Sequence, residues 1–335
     1  MILRMELGQD SYDIVVEHGT IDRAGELLKL DRRVLVVTDS GVPKEYSEKI
    51  ALQCKNSVIY TFPQGEESKN FDTYKDILTC LVENGFTRSD CVVAVGGGVC
   101  GDMAGFAAAT YMRGIDFYNI PTTLLSQIDS SIGGKTAIDF CGYKNIVGAF
   151  NQPKKVLVDP DVLKTLDKRQ IANGLAEAVK MSMTSDKELF KMFENGEYKT
   201  NLDEVIIRSL KVKKYVVEQD EKENGLRKIL NFGHTVAHAI ESNINMSGLY
   251  HGECVGLGML AMTGENVRNR LLCVMKNIGL PTAFDFDCEK ILEAIKHDKK
   301  MSGDNITVIY VDKPGAFEMK TMAYSTLKEQ LSKVL

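Results

Sequence analysis

The chain has 335 residues, longer than a single hydrophobic core usually serves, so two domains are expected. Its 41 Lys and Arg against 46 Asp and Glu leave a net charge of −5 with both signs interspersed, which argues against a general nucleic-acid or anionic-membrane binder. The eight cysteines form no C-x-x-C pair and read as free thiols of a reducing cytoplasm.

The N-terminal segment MILRMELGQDSYDIVV lacks the apolar core of a signal peptide. The elements then alternate. Residues 32–39 (RRVLVVTD) read as a buried strand and 40–54 (SGVPKEYSEKIALQC) as a helix. A strand follows in NSVIYTF, a helix in SKNFDTYKDILTCLVENG and a strand in CVVAV. GDMAGFAAATYM reads as a helix and IDFYNI as a strand. The run from Cys91 to Met112 is nearly uncharged, but its glycines and Asp102 make it a poor membrane span. KKVLVD, ending at Asp159, closes the series. Strand–helix alternation implies an α/β domain with a parallel sheet covered on both faces.

After Asp161 the texture becomes helical. LKTLDKRQIANGLAEAVKMSMTS, NLDEVIIRSLKVKKYVVEQDEKE, HTVAHAIESNI, ECVGLGMLAMTGENVRNR and DCEKILEAIKHDKK all show helical spacing. A late hairpin is expected in NITVIYVDKPGAFEMKTM. The expected division is an α/β nucleotide-binding domain over residues 1–162 and a mostly α-helical domain over 163–335. A cleft between them is the expected ligand site.

Two loops suit phosphate. Gly96, Gly98 and Gly101 fit G-x-G-x-x-G between a strand and a helix, where unpaired N–H groups at the helix start can meet an anion. A tight turn would look the same, and in the usual dinucleotide fold this loop follows the first strand, not the third. The second loop, SSIGGKTAIDFCGYKNIVGAFNQP, sets Lys135, Lys144 and Asn145 among glycines, a setting for phosphate or carboxylate.

In the helical half, Glu177 and Lys180 stand three apart and share a face. A surface ion pair is the plain expectation from that segment alone. Arg227, Asn231, His234 and His238 fall at helical spacing, with the last three on one stripe. Histidines four apart can chelate zinc, although Thr235 stands where H-E-x-x-H has its glutamate. Three histidines (His234, His238, His251) and Glu177 point to a mononuclear metal site.

Together these segments resemble one family. GGGVCGDMAGFAA, RGIDFYNIPTTLLSQIDSSIGGKTAID, YKNIVGAFNQP, GLAEAVK, GLRKILNFGHTVAHAIE, YHGECVGLGM and DKK are similar, in order, to 3-dehydroquinate synthase. The resemblance runs from about Thr38 to Lys300. It implies conversion of 3-deoxy-D-arabino-heptulosonate 7-phosphate to 3-dehydroquinate and phosphate, in the shikimate pathway to aromatic amino acids. It implies catalytic NAD, a divalent metal (zinc, with cobalt as an alternative) and a cytoplasmic homodimer. By the same resemblance the metal ligands are Glu177, His234 and His251, and His238 faces the substrate. NAD contacts fall on Asp39, Gly65, Glu66, Lys69, Gly97, Gly98, Val99, Cys100, Gly101, Asp102, Thr122, Thr123, Lys135 and Lys144, and on Val162, Leu163, Lys164 and Thr165. Substrate contacts fall on Asp129, Lys135, Asn145, Lys180, Arg227, Asn231, His238 and Lys300. Arg113 resembles an arginine that reaches the phosphate from the neighbouring subunit, and Glu223 a member of a proton relay. Tyr143 stands where the family usually has glycine.

Three rivals remain at this point. A 2-deoxy-scyllo-inosose synthase-like cyclase would share NAD and zinc without a carboxylate site. A metal-dependent polyol dehydrogenase would release NADH and need no anion-binding lysines. A non-catalytic nucleotide-binding regulator would not need Glu177 and two histidines.

Overall fold

The computed structural model describes residues 1–243, 248–283, 287–296, 301–302 and 305–332. The chain divides into two compact units, Met1–Asp167 and Lys168–Leu335.

The first unit carries strands β1 (Ile2–Met5), β2 (Tyr12–Val16), β3 (Arg33–Asp39), β4 (Asn56–Phe62), β5 (Cys91–Gly96), β6 (Asp116–Pro121), β7 (Lys135–Phe140), β8 (Tyr143–Phe150) and β9 (Lys155–Val158). Its helices are α1 (Ala24–Leu27), α2 (Lys44–Leu52), α3 (Phe71–Glu83) and α4 (Gly98–Thr110). Seven strands form one sheet in the order β1-β2-β9-β6-β5-β3-β4. All neighbours are parallel except the antiparallel edge pair β1–β2. The β-branched runs explain the burial on both faces. Val34, Val36, Val93, Val95 and Leu157 pack in one apolar cluster, while Leu35, Val37, Val92 and Ala94 point into the other. Helix α3 shows the logic of a covering helix. Asn70 caps it by accepting the Thr73 N–H, and Tyr74, Ile77 and Leu81 form its buried stripe.

Two strands of the N-terminal segment, β1 and β2, went unread in the sequence. So did the hairpin β7–β8, where only a glycine-rich loop was expected. Its turn residues Cys141 (φ 52°) and Gly142 (φ 81°) both have positive φ, as a two-residue hairpin turn demands. Cysteine in place of the usual Asn or Asp hid that signal.

The second unit holds α5 (Lys168–Ser185), α6 (Lys187–Glu194), α7 (Leu202–Gln219), α8 (His234–Asn243), α9 (His251–Ala261), α10 (Glu265–Ile278) and α11 (Cys288–Lys296). Strands β10 (Met301–Ser302), β11 (Asn305–Lys313) and β12 (Ala316–Ala323) and helix α12 (Tyr324–Leu331) complete it. The late hairpin is β11–β12, turning at Gly315 with φ 81°. Helix α5 is buried almost continuously from Ala172 to Thr184, so it runs through the core rather than over it. Helix α6, unread in the sequence, starts where Asp186 accepts the N–H groups of Glu188 and Leu189.

Candidate active site

In the first unit the glycine loop lies where β5 meets α4. Gly97 is the N-cap, so the N–H groups of Gly98, Val99 and Cys100 open the helix without intrahelical acceptors. No side chain would fit there easily. A Cβ on Gly97 would come within 3.1 Å of Thr123 Cγ2, and one on Gly98 within 3.1 Å of Ser130 Oγ. The Thr122 N–H donates to the Gly96 carbonyl at 2.9 Å and ties the next loop to this one. Cys100 is fully buried, its thiol donates to the Val37 carbonyl, and burial pushes its pKa well above the usual thiol range. Its side chain therefore packs, and only its backbone faces the loop. Asp39, at the end of β3, accepts the Gly41 N–H, and burial raises its carboxyl pKa despite that bond.

Lys69 is buried and pairs with Asp102 of α4 at 2.6 Å, while its ammonium also donates to the Asn145 side chain. Burial lowers the Lys69 pKa, but the charges of Asp102 and Glu66 more than offset it. The Lys69 carbonyl accepts the Asp139 N–H, and the Asp139 carboxylate accepts the Asn145 N–H at 2.8 Å. The segment opened by Gly65 and Glu66, helix α4 and the hairpin β7–β8 are thus joined in one polar network. Lys135 and Lys144 lie exposed on that hairpin, and Asp129 sits in a π-turn over Ser126–Ser130. Val162, Leu163, Lys164 and Thr165 form a 3₁₀ turn capped by Asp159, whose carboxylate also accepts the Gly19 and Ile21 N–H groups. Thr165 meets the Tyr46 hydroxyl at 3.1 Å.

In the second unit the stripe expected through Asn231, His234 and His238 is broken. Leu226–Asn231 is a 3₁₀ turn, Gly233 takes φ 78°, and α8 begins afresh at His234. The reason is a close approach to α9. A Cβ on Gly233 would lie 2.8 Å from both Met259 N and Val255 O. That contact brings His234, the first residue of α8, beside His251, the first residue of α9.

Glu177, His234 and His251 converge, with one ligand atom from each within 4.8 Å of the others. Nε2 of His234 is 3.8 Å and Nε2 of His251 3.6 Å from Glu177 Oε1. These spacings are too long for hydrogen bonds but close to the ~3.4 Å that separates two ligands sharing a tetrahedral ion at ~2.1 Å. Among the described residues neither oxygen of Glu177 accepts a hydrogen bond, although the residue is 0 % exposed. Lys180, 1 % exposed, forms an ion pair with it, so the expected surface pair is in fact buried. Nδ1 of His234 donates to the Phe232 carbonyl at 3.2 Å, leaving Nε2 as the lone-pair atom. Burial, aided by the Lys180 charge, holds the His234 pKa well below its usual value, so the ring is a neutral donor. Burial also lowers His251, but hydrogen bonding to Glu241 outweighs it and the net shift is upward. The buried Glu177 Oε1 without a hydrogen bond and the two Nε2 atoms turned toward it fit a divalent ion. His238 is exposed, its ring 5.4 Å from that of His234, and it does not join this group. His18, Asp159 and Asp161 also converge, but the Asp159 oxygens are taken up by backbone N–H groups.

Asn231 donates to Glu223 at 2.6 Å. Asp220 accepts the N–H groups of Asn224, Gly225 and Arg227 and shapes the turn between them, which holds the buried Arg227. Lys299 and Lys300 lie outside the described residues.

Several solved cyclases share this fold. A 2-deoxy-scyllo-inosose synthase solved with carbaglucose-6-phosphate, NAD+ and Co2+ superposes with a TM-score of 0.90 at 24% identity, covering 100% of both chains. The 2-epi-5-epi-valiolone synthase of Streptomyces hygroscopicus subsp. jinggangensis, solved with NAD+ and Zn2+, gives 0.88 at 26% identity over 98% of both. A probable glycerol dehydrogenase of Sinorhizobium meliloti shares the fold at 0.65 and 17% identity, over 96% of this chain and 95% of that one. In sequence, residues 59–173 match the model of the 3-dehydroquinate synthase N-terminal region and residues 174–301 that of its C-terminal region. The 3-dehydroquinate synthases of Streptococcus thermophilus and Streptococcus mutans are 39% and 37% identical, over 99% of this chain and 100% of theirs. The chain belongs to the 3-dehydroquinate synthase family. It is an enzyme of the phosphate-eliminating cyclase type, a carbon–oxygen lyase.

Proposed function

We propose that the chain converts 3-deoxy-D-arabino-heptulosonate 7-phosphate to 3-dehydroquinate and phosphate, with Glu177, His234 and His251 as ligands of a divalent ion and the first unit as the NAD site. The observation that carries the site reading is the Glu177 carboxylate, fully buried, without a hydrogen bond and facing two imidazole nitrogens. Lys180 pairs with the other oxygen, Oε2, but Oε1 is left as a buried acceptor without a hydrogen bond, a state that costs about 1–3 kcal/mol and that an ion shared with the two imidazoles would relieve. Two nitrogens and an oxygen suit zinc, with cobalt as a substitute, and three protein ligands leave positions for substrate oxygens. Bound NAD would supply a transient oxidation that acidifies the neighbouring carbon, and the ion would polarise the oxygen concerned.

The chain's own groups supply position and charge. The open N–H groups of Gly98, Val99 and Cys100 offer an anion site for the cofactor pyrophosphate, and Asp39, Glu66, Lys69, Asp102, Thr122, Thr123, Lys144 and the 162–165 turn frame the rest. Lys135, Lys180, Arg227 and Lys300 provide cations for a carboxylate and a phosphate, with Asp129, Asn145 and Asn231 as orienting polar groups. His238, exposed with its ring 5.4 Å from that of His234, would hold or pass a proton for the leaving phosphate. Glu223, bonded to Asn231, is the further relay group.

A homodimer is part of the reading. Exposed Phe71, Phe140, Tyr143, Ile146 and Phe150 give the hairpin region an apolar surface suited to burial, and Arg113 is the residue that would serve the neighbouring subunit. The eight free cysteines suit a reducing cytoplasm.

The test is an incubation with the heptulosonate phosphate, NAD+ and Zn2+. Phosphate release without net NADH is expected. Accumulating NADH would assign a polyol dehydrogenase instead, and the absence of both would refute catalysis on this substrate.

A further inference from the structure

His251 is held more elaborately than a ligand at a helix start requires. The Gly252 N–H donates to Asn173 Oδ1 at 2.6 Å, which ties the first turn of α9 to α5. Glu253 accepts the Tyr250 N–H at 2.8 Å and receives two bonds from Arg169, both 2.7 Å. Arg169 also stacks over the Tyr250 ring, 4.3 Å from its centroid, and donates to the Gly248 carbonyl. These contacts fix the backbone at residues 248–253. They do not fix the rotation of the His251 ring.

That rotation is set from another helix. Glu241 of α8 accepts from His251 Nδ1 at 2.7 Å, and its side chain is 9% exposed. A carboxylate can only accept here, so the proton sits on Nδ1 and the lone pair on Nε2, the atom 3.6 Å from Glu177 Oε1. His234 is oriented in the same sense by a backbone carbonyl, which no side-chain substitution removes. Only the His251 ring depends on a replaceable group.

We infer that Glu241 is a positioning residue: its carboxylate selects the Nδ1–H tautomer of His251 and aims Nε2 at the ion, so that it governs metal retention without touching metal or substrate. This rests on the metal reading above. Outer carboxylates of this kind change metal affinity by about 10–100-fold when removed.

The experiment is a Co2+ titration of the full-length metal-free protein, followed by affinity in competition with a chelator and by the visible Co2+ bands. Glu241→Ala should bind Co2+ about 10–100-fold more weakly with altered bands. NAD+ affinity should stay at the wild-type level, which separates the effect from misfolding. Glu241→Gln keeps an acceptor for Nδ1–H without the charge and should recover most of the affinity and the wild-type bands. Glu241→Ala binding Co2+ within about twofold of wild type, with unchanged bands, would overturn the inference. So would Glu241→Gln as weak as Glu241→Ala, since orientation would then not be the cause. Failure of the wild-type protein itself to bind one Co2+ would instead overturn the metal reading.

Discussion

Gly258→Ala sets two effects against each other. Gly258 lies inside α9, where alanine is the better helix former by about 1 kcal/mol. Helix propensity alone therefore predicts a more stable protein. The packing predicts the reverse. A Cβ at 258 would overlap the Gly233 carbonyl oxygen and lie 2.9 Å from its carbon and 3.2 Å from the Gly233 Cα. The obstacle is backbone, so no side chain can swing away, and the cost belongs at the upper end of overpacking, about 3 kcal/mol. The net loss is about 2 kcal/mol, a fall in Tm of roughly 4–8 °C for a unit of this size. Moving α8 off α9 also parts His234 from His251, so Co2+ affinity should fall with stability. Calorimetry of the metal-free protein and a Co2+ titration measure the two. A raised Tm with unchanged Co2+ affinity would refute the argument that this close approach builds the site.

Two other perturbations follow from buried charge. Lys180→Met leaves the Glu177 carboxylate uncompensated, which should cost the metal-free protein about 3–5 kcal/mol; saturating Zn2+ should recover much of it, and an equal loss in thermal melts with and without Zn2+ would count against a cation site. Burial raises the Asp39 pKa above its ordinary 3.8, so its folded value exceeds its unfolded value and its contribution to stability is present below 3.8 and lost as pH rises through the folded value. If ionised Asp39 accepts from the cofactor ribose, NAD+ affinity should weaken as pH falls through that raised value, and Asp39→Asn should bind weakly without this dependence; a wild-type affinity that stays flat down to the ordinary 3.8 would contradict the role.

The parallel sheet was legible because its signal is local. Short β-branched runs such as VLVV and VVAV, bounded by turn residues, read as strands buried on both faces, and the intervening helices carry their own caps and stripes. Burial in the second unit was not legible in the same way. Glu177 and Lys180 look like any helical ion pair, because the three-residue spacing is the same on a surface and in a core. What distinguishes them is the apolar company of Leu175, Ala176, Ala178 and Val179 on every side, together with helices that come from elsewhere in the chain. The His234 segment failed for a related reason. Regular spacing from Arg227 to His238 suggested one helix, and only the packing against α9 shows why Gly233 must break it.

The break at Gly233 belongs to a wider pattern. Five residues other than glycine adopt positive φ among those described: Met112, Arg113, Cys141, Asn145 and Glu223. A side chain in the left-handed region costs about 1–2 kcal/mol, so each must be held by its surroundings. Asn145 is held by Asp139, which accepts its N–H, and by Lys69, which bonds its side chain. Glu223 is held in a turn whose ends are fastened by Asp220 and whose carboxylate takes the Asn231 amide. Arg113 follows Met112 in the same conformation at the end of α4. Three of the five are residues to which the family resemblance gives a role, while Cys141 is explained by its hairpin turn alone. Propensity rules would place glycine or asparagine at such positions, and at two of the three roles the chain has a larger charged side chain instead. Glycine would relax the backbone at Arg113 and Glu223, so the larger side chains kept there accord with the roles proposed for them, although Met112 adopts the same conformation without one.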